Sequence, residues 1–186
     1  MTAAYISSGA DISACGRYRY LLWREWRRSG SLENWAMTDM VDGAGNRIGE
    51  PKSCLFVMLN PSTADASIDD PTIRRCVAFA KRWRYDRLEV VNLFAYRATN
   101  PKTLLTLGHK ENPIGDRNSE VVSSAAFEAG LIVCAWGAHG GHMGHDETVR
   151  GWLGARKSFA LGFTKAGQPR HPLYVPREAD LVAMPA

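Results

Sequence analysis

The chain has 186 residues, 45% of them hydrophobic, which fits one domain large enough to bury a real core. Lys and Arg number 23 against 19 Asp and Glu, a net charge of +4. That mild basicity suits a nucleic-acid or nucleotide partner without requiring one. No apolar run approaches the roughly 18 residues of a membrane span, and Met1-Thr-Ala-Ala-Tyr-Ile lacks the basic and apolar blocks of a signal peptide. A cytoplasmic location with no membrane partner is therefore expected.

Residues 1–16 read as a flexible lead, and 17–186 as a single α/β domain. Arg17, Arg19, Arg24, Arg27 and Arg28 cluster early, and Lys81, Arg82, Arg84 and Arg87 form a second group. Each group serves as a solvated face or as a phosphate contact. Tyr18-Arg-Tyr-Leu-Leu-Trp23 alternates and is aromatic, which predicts a strand at a sheet edge. Trp26 to Glu50 is polar with turn dipeptides at Asp42-Gly43 and Gly45-Asn46, and reads as a hairpin or long loop.

From Ser53 the rhythm changes to strand, helix, strand, helix. Cys54 to Leu59 is a continuous apolar run of the kind a strand buried on both faces needs. Asn60-Pro61 ends it, since proline cannot donate to a ladder. Asp70 with Pro71 predicts a helix start, and Ile73, Cys76, Val77, Ala80 and Trp83 recur at helical spacing. Leu88 to Phe94 is a second buried strand, followed by a loop from Ala95 to Pro113. A helix starts at Asp116 or Asn118, a strand runs from Leu131 to Trp136, and Asp146 can cap a helix carrying Val149, Trp152 and Leu153. Ser158 to Leu161 is the last core strand. Strands separated by single helices pair in parallel, so the fold class is α/β, a three-layer α/β/α sandwich around a roughly four-stranded parallel sheet.

Parallel strands deliver their carboxyl ends to one crevice. Asn60-Pro61-Ser62, Asn92, Trp136-Gly137 and His171-Pro172 follow successive strands, which gathers two carboxamides, an imidazole, a hydroxyl and an aromatic. Carboxamides pair a donor with an acceptor, as the edge of a nucleobase requires. Asp65 and Asp70 stand close behind Asn60 as ligand contacts or as turn and capping residues. Arg97 is a phosphate contact or a partner of one of these carboxylates.

Other chemistry is weaker. The four cysteines Cys15, Cys54, Cys76 and Cys134 lie far apart and read as buried apolar residues, so neither disulfides nor an iron–sulfur cluster is expected. His139, His142 and His145 sit in a glycine-rich loop that suits adventitious more than catalytic metal binding. Ser62 lacks a nucleophile elbow, and phosphate-loop and dinucleotide fingerprints are absent, so no cofactor is expected.

Met58-Leu-Asn-Pro-Ser-Thr-Ala-Asp65, Asp69-Asp-Pro-Thr72, Val91-Asn-Leu-Phe94 with Arg97-Ala-Thr99, Ala135-Trp-Gly137 and Thr164 to Tyr174 together resemble a family of bacterial proteins of unassigned function, domain of unknown function 1643. More distantly, Asn60-Pro61, Val91-Asn92-Leu93, Trp136-Gly137 and His171-Pro172-Leu173-Tyr174 resemble, in order, landmarks of the uracil-DNA glycosylase superfamily. The resemblance implies that fold and a pocket for a flipped base, with nucleic acid (DNA foremost) or a nucleotide as partner. It implies Asn60 as the residue that positions water, Asn92 as the base reader and His171 as the group that eases negative charge on the departing base. Leu173 or Tyr174 would wedge into the duplex. Two other readings remain open at this point: a nucleic-acid-binding module without chemistry, and a hydrolase or transferase on free nucleosides or nucleotides.

Overall fold

A computed structural model describes residues 5–26, 51–62, 68–100, 102–107 and 111–185 (the side chain of Leu105 aside). The hairpin or loop expected between Trp26 and Glu50 lies, beyond Trp26, outside the described residues.

The described strands are β1 (Ser7–Ile12), β2 (Arg19–Glu25), β3 (Ser53–Met58), β4 (Arg87–Asn92), β5 (Leu131–Cys134), β6 (Ser158–Ala160) and β7 (Val182–Ala183). They form one mixed sheet in the order β1-β2-β4-β3-β5-β6-β7. The four central strands β4, β3, β5 and β6 are parallel, as the strand–helix rhythm predicts. Antiparallel pairs flank them: β2 on β4, β1 on β2 and β7 on β6.

Two expectations change here. Residues 7–12, expected within a flexible lead, form β1, and β2 consequently lies inside the sheet and not at its edge. The pairing, not local propensity, makes β1 a strand. Gly9 sits opposite Trp23, and a Cβ at Gly9 would lie 2.2 Å from the indole.

Every residue of β3 is buried, and its side chains alternate between two cores as the pleat requires. Cys54, Phe56 and Met58 join Leu88, Val90 and Val133 under α1 (Pro71–Arg82). Leu55, Val57 and Leu59 join Val91, Ile132 and Cys134 beneath α3 (Asn118–Glu128) and α4 (His145–Trp152), with Leu104 of α2 (Lys102–Thr106) beside them. Helices on both faces of a sheet give three layers. Truncating Phe56, fully buried in this core, would cost about 3–5 kcal/mol.

Helix α1 begins as its sequence predicts. The Asp70 carboxylate accepts from the Ile73 amide at 2.8 Å, and Pro71 takes the first position, where a missing N–H costs nothing. Lys81 and Arg82 occupy its last turn, where the helix dipole favours cations. It ends in a left-handed residue, Arg84 at φ 65°, with Tyr85 N–H bonded to Ala80 and Arg84 N–H to Lys81. Helix α4 differs from expectation: it starts at His145 behind left-handed Gly144, and Asp146 lies inside the first turn without capping it.

Candidate functional site

The parallel strands share one direction, and at their carboxyl ends opens a pocket of about 510 Å³, a size ordinary for small ligands. Asn60 just beyond β3, Asn92 at the end of β4, Trp136 and Gly137 beyond β5, and His171 on the C-terminal loop all line it. The residues that sequence order placed at successive strand ends therefore meet in one space. Ser62, Asp70 and Tyr174 line it too.

Asn60 has both amide hydrogens spoken for: its Nδ2 donates to the carbonyls of Ala98 at 2.8 Å and Pro61 at 3.1 Å. What it offers a ligand is the acceptor oxygen Oδ1. Asn92 has the opposite character. It is 1% exposed, and its Nδ2 is buried with no hydrogen-bond partner among the described residues. A stranded buried donor costs roughly 1–3 kcal/mol, a cost that a ligand acceptor would remove.

His171 accepts the Leu173 amide on Nδ1 at 3.3 Å, so the neutral ring carries its proton on Nε2. Burial pushes its pKa down, against the pull of nearby Asp70. At neutral pH it is an uncharged donor. Trp136, 2% exposed, spends its indole N–H on Gln168 Oε1 at 2.6 Å, and Gln168 Nε2 donates to Asp146 at 2.8 Å. Gly137, left-handed at φ 79°, donates to the Pro169 carbonyl at 2.8 Å, and a Cβ there would press on His171 at 3.4 Å. The strand end thus carries the C-terminal loop directly. Arg75 of α1 holds the same loop from below, through the carbonyls of Pro172 and Val175.

The acidic residues behind Asn60 have structural duties. Asp70 caps α1 and accepts from the Ser62 hydroxyl at 2.6 Å. Asp69 accepts from buried Arg24 at 2.7 Å and from Tyr5 at 2.5 Å. Asp65 lies outside the described residues. Pro61 is buried and its carbonyl accepts from Ala98 N–H, so it braces the wall without being part of it. Arg97 also stands outside the wall and donates to the Gly16 carbonyl at 3.0 Å. Leu173 is 44% exposed and outside the wall, whereas Tyr174 is 78% exposed at the pocket, its ring 5.6 Å from that of His171.

Sequence reasoning missed Arg170, and it offered Arg19 only as one member of an early basic group, a solvated face or a phosphate contact. Arg19 lines the pocket at 2% exposure. Burial lowers its pKa to about 10, with Asp70 opposing, so it remains a cation at neutral pH. In the sequence it alternates with Tyr18 and Tyr20 and reads as an outward polar position. Of the basic groups that suggested phosphate contact, Arg24 is buried against Asp69 and Arg87 half-buried against Glu25 and Glu89, whereas Arg17 pairs with Glu111 at the surface and Lys81, Arg82 and Arg84 are exposed. Arg27 and Arg28 lie outside the described residues.

The histidine loop disperses. His139 reaches the pocket, His142 packs 5.7 Å from the Phe94 ring, and His145 is buried between Phe94 and Trp152. Among the described residues no three His, Cys, Asp or Glu side chains are grouped to hold a metal. No helix there is long and apolar enough to cross a membrane.

Fold and pocket define a mixed α/β protein with a pocket at the carboxyl edge of its parallel strands. Residues 19–173 match the family model described as protein of unknown function, DUF1643, and the chain belongs to that family. No curated protein and no solved structure matches it.

Proposed function

We propose that this pocket recognises an oxygen-rich nucleobase, in a nucleotide or in nucleic acid, and that the protein hydrolyses the N-glycosidic bond holding it. The observation that carries this reading is the buried donor of Asn92, unpartnered among the described residues, on a residue that lines the same cavity as Asn60 and His171. Asn92 Nδ2 and His171 Nε2–H donate to carbonyl oxygens of the base. As the glycosidic bond breaks, the base leaves with the bonding pair, and these two donors stabilise its negative charge. Asn60 Oδ1 accepts one hydrogen of a water and turns its lone pair toward the sugar carbon. The water oxygen joins that carbon, and its proton passes to solvent or to the departing base.

Uracil, hypoxanthine and xanthine, each presented as nucleoside, 5′-mononucleotide and oligonucleotide, form the test panel. Free base is released by the wild type and not by Asn92→Ala or His171→Ala. No release from any member overturns the hydrolytic reading.

One observation favours a second reading, a binding module of the same fold. The carboxylate described in the lining, Asp70, is tied to the helix cap and to Ser62, and an amide such as Asn60 takes no proton at neutral pH. Under that reading the same panel binds without turnover.

A further inference from the structure

Four side chains in the largely apolar wall of the pocket can act there as donors. Asn92 Nδ2 and His171 Nε2–H are neutral donors, while Arg19 and Arg170 are cations with no acceptor capacity. Against them stand the Asn60 oxygen and the Asp70 carboxylate, whose two oxygens already serve the helix cap and Ser62. A neutral base edge gives acceptors for the first pair and brings no anion to the guanidinium fork of Arg19, which already lies in the field of Asp70.

The two arginines differ in depth. Arg170 is exposed, at the rim, and Arg19 is 2% exposed. Arg19 opens β2 beside the end of β4, its amide bonded to the Ala95 carbonyl at 2.9 Å, three residues past Asn92. A guanidinium carries five N–H groups in a fixed fork, so an ion pair with a protein carboxylate still leaves donors for a ligand. A base flipped from a polymer brings its phosphates no deeper than the pocket mouth. A cation set in the inner wall therefore matches an acid that enters whole.

We propose that the ligand of this pocket is a small free acid, a nucleobase compound whose own phosphate or carboxylate binds Arg19 in the inner wall, and not a base extruded from a polynucleotide. This rests on the base-recognition reading above and narrows it. The pairing of buried Arg24 with Asp69 and of half-buried Arg87 with Glu25 and Glu89 agrees, because those two residues are held by the protein's own carboxylates and not set out along a backbone track.

Calorimetric titration separates the sources. The probes are deoxyuridine and deoxyinosine, their 5′- and 3′-monophosphates, uracil carrying a ring carboxylate, and single-stranded oligonucleotides containing either base. A charge-assisted contact predicts that at least one acid binds about 10–100-fold more tightly than its neutral parent, and Arg19→Gln removes that ratio. A preference for the monophosphates assigns the anion to phosphate; a preference for the ring acid assigns it to carboxylate. Where Arg19→Gln fails to fold, Arg19→Lys keeps the charge but loses the fork, and a ratio reduced several-fold supports the same contact. Equal affinity for acid and parent overturns the anion site and leaves base recognition standing, as does tighter binding of oligonucleotides than of any mononucleotide. Binding of no probe overturns both.

Discussion

The side-chain amide of Asn118, the first residue of α3, donates to the backbone carbonyl of Asn92 at 3.0 Å, and its second hydrogen reaches Leu93 at the same distance. Both residues are essentially inaccessible. The helix on one face of the sheet therefore fixes the strand end whose side chain enters the pocket on the other. Asn118→Ala removes both bonds, leaving the Leu93 carbonyl to His145 alone, and is expected to cost about 1–3 kcal/mol, read as a lower urea midpoint at unchanged slope. Asn118→Asp puts acceptor against acceptor and is expected to cost more.

Close packing around Trp136 gives a second expectation. A Cβ on Gly140 would fall 1.9 Å from the Trp136 ring and 2.7 Å from Gln168 Oε1. Trp136 has no room to retreat, so Gly140→Ala is expected to lose about 1–3 kcal/mol by overpacking and to alter the near-ultraviolet circular dichroism. Gly141→Ala, where the nearest atom lies at 3.4 Å, is expected to be much milder.

Burial depresses the pKa of both His145 and His171. A lowered imidazole pKa means that the unfolded chain binds protons first as pH falls, so stability is full above about 6.5 and declines below it, through the depressed folded values. His145 sharpens the effect, since its buried Nε2 has no partner among the described residues. Urea unfolding at pH 7.5 and at pH 5.5 should show the loss, and His145→Phe should flatten it.

Three cysteines are buried, and burial raises their thiol pKa values. Cys15 departs from the expectation of a buried apolar residue: it is exposed on the turn between β1 and β2. A hydrogen bond with Ser13, aided by Arg17, lowers its thiol to about 7. Iodoacetamide at pH 7.5 is expected to label the native protein once, at Cys15, with the remaining three reacting only after denaturation.

The parallel core was legible because Cys54 to Leu59 and Leu131 to Cys134 are uninterrupted apolar runs, and burial on both faces demands that pattern. Asp70-Pro71 announced its own helix start through cap chemistry. Asn60, Asn92, Trp136 and His171 were legible as a group because topology, not distance along the chain, brings strand ends together. Strand β1 was not legible: Ser-Ser-Gly-Ala-Asp-Ile has little β propensity and is ordered by pairing with β2. Arg19 stood out no further than its basic neighbours for a related reason. Its burial depends on β2 lying inside the sheet, beside β4, and no residue near it in sequence signals that. The role of Asp69 was hidden too, since it is the partner of Arg24 and Tyr5 through contacts that span 45 and 64 residues.

Because β1 is the outermost of the described strands on that side, it shields the hydrogen-bonding edge of β2, and Tyr5 just ahead of it clasps Asp69 beside α1. Trimming the first dozen residues as a dispensable tail would bare that edge to a second molecule. A shortened protein would then be lost to self-association before its pocket could be assayed, and recombinant work on the chain does best to keep its N-terminus whole.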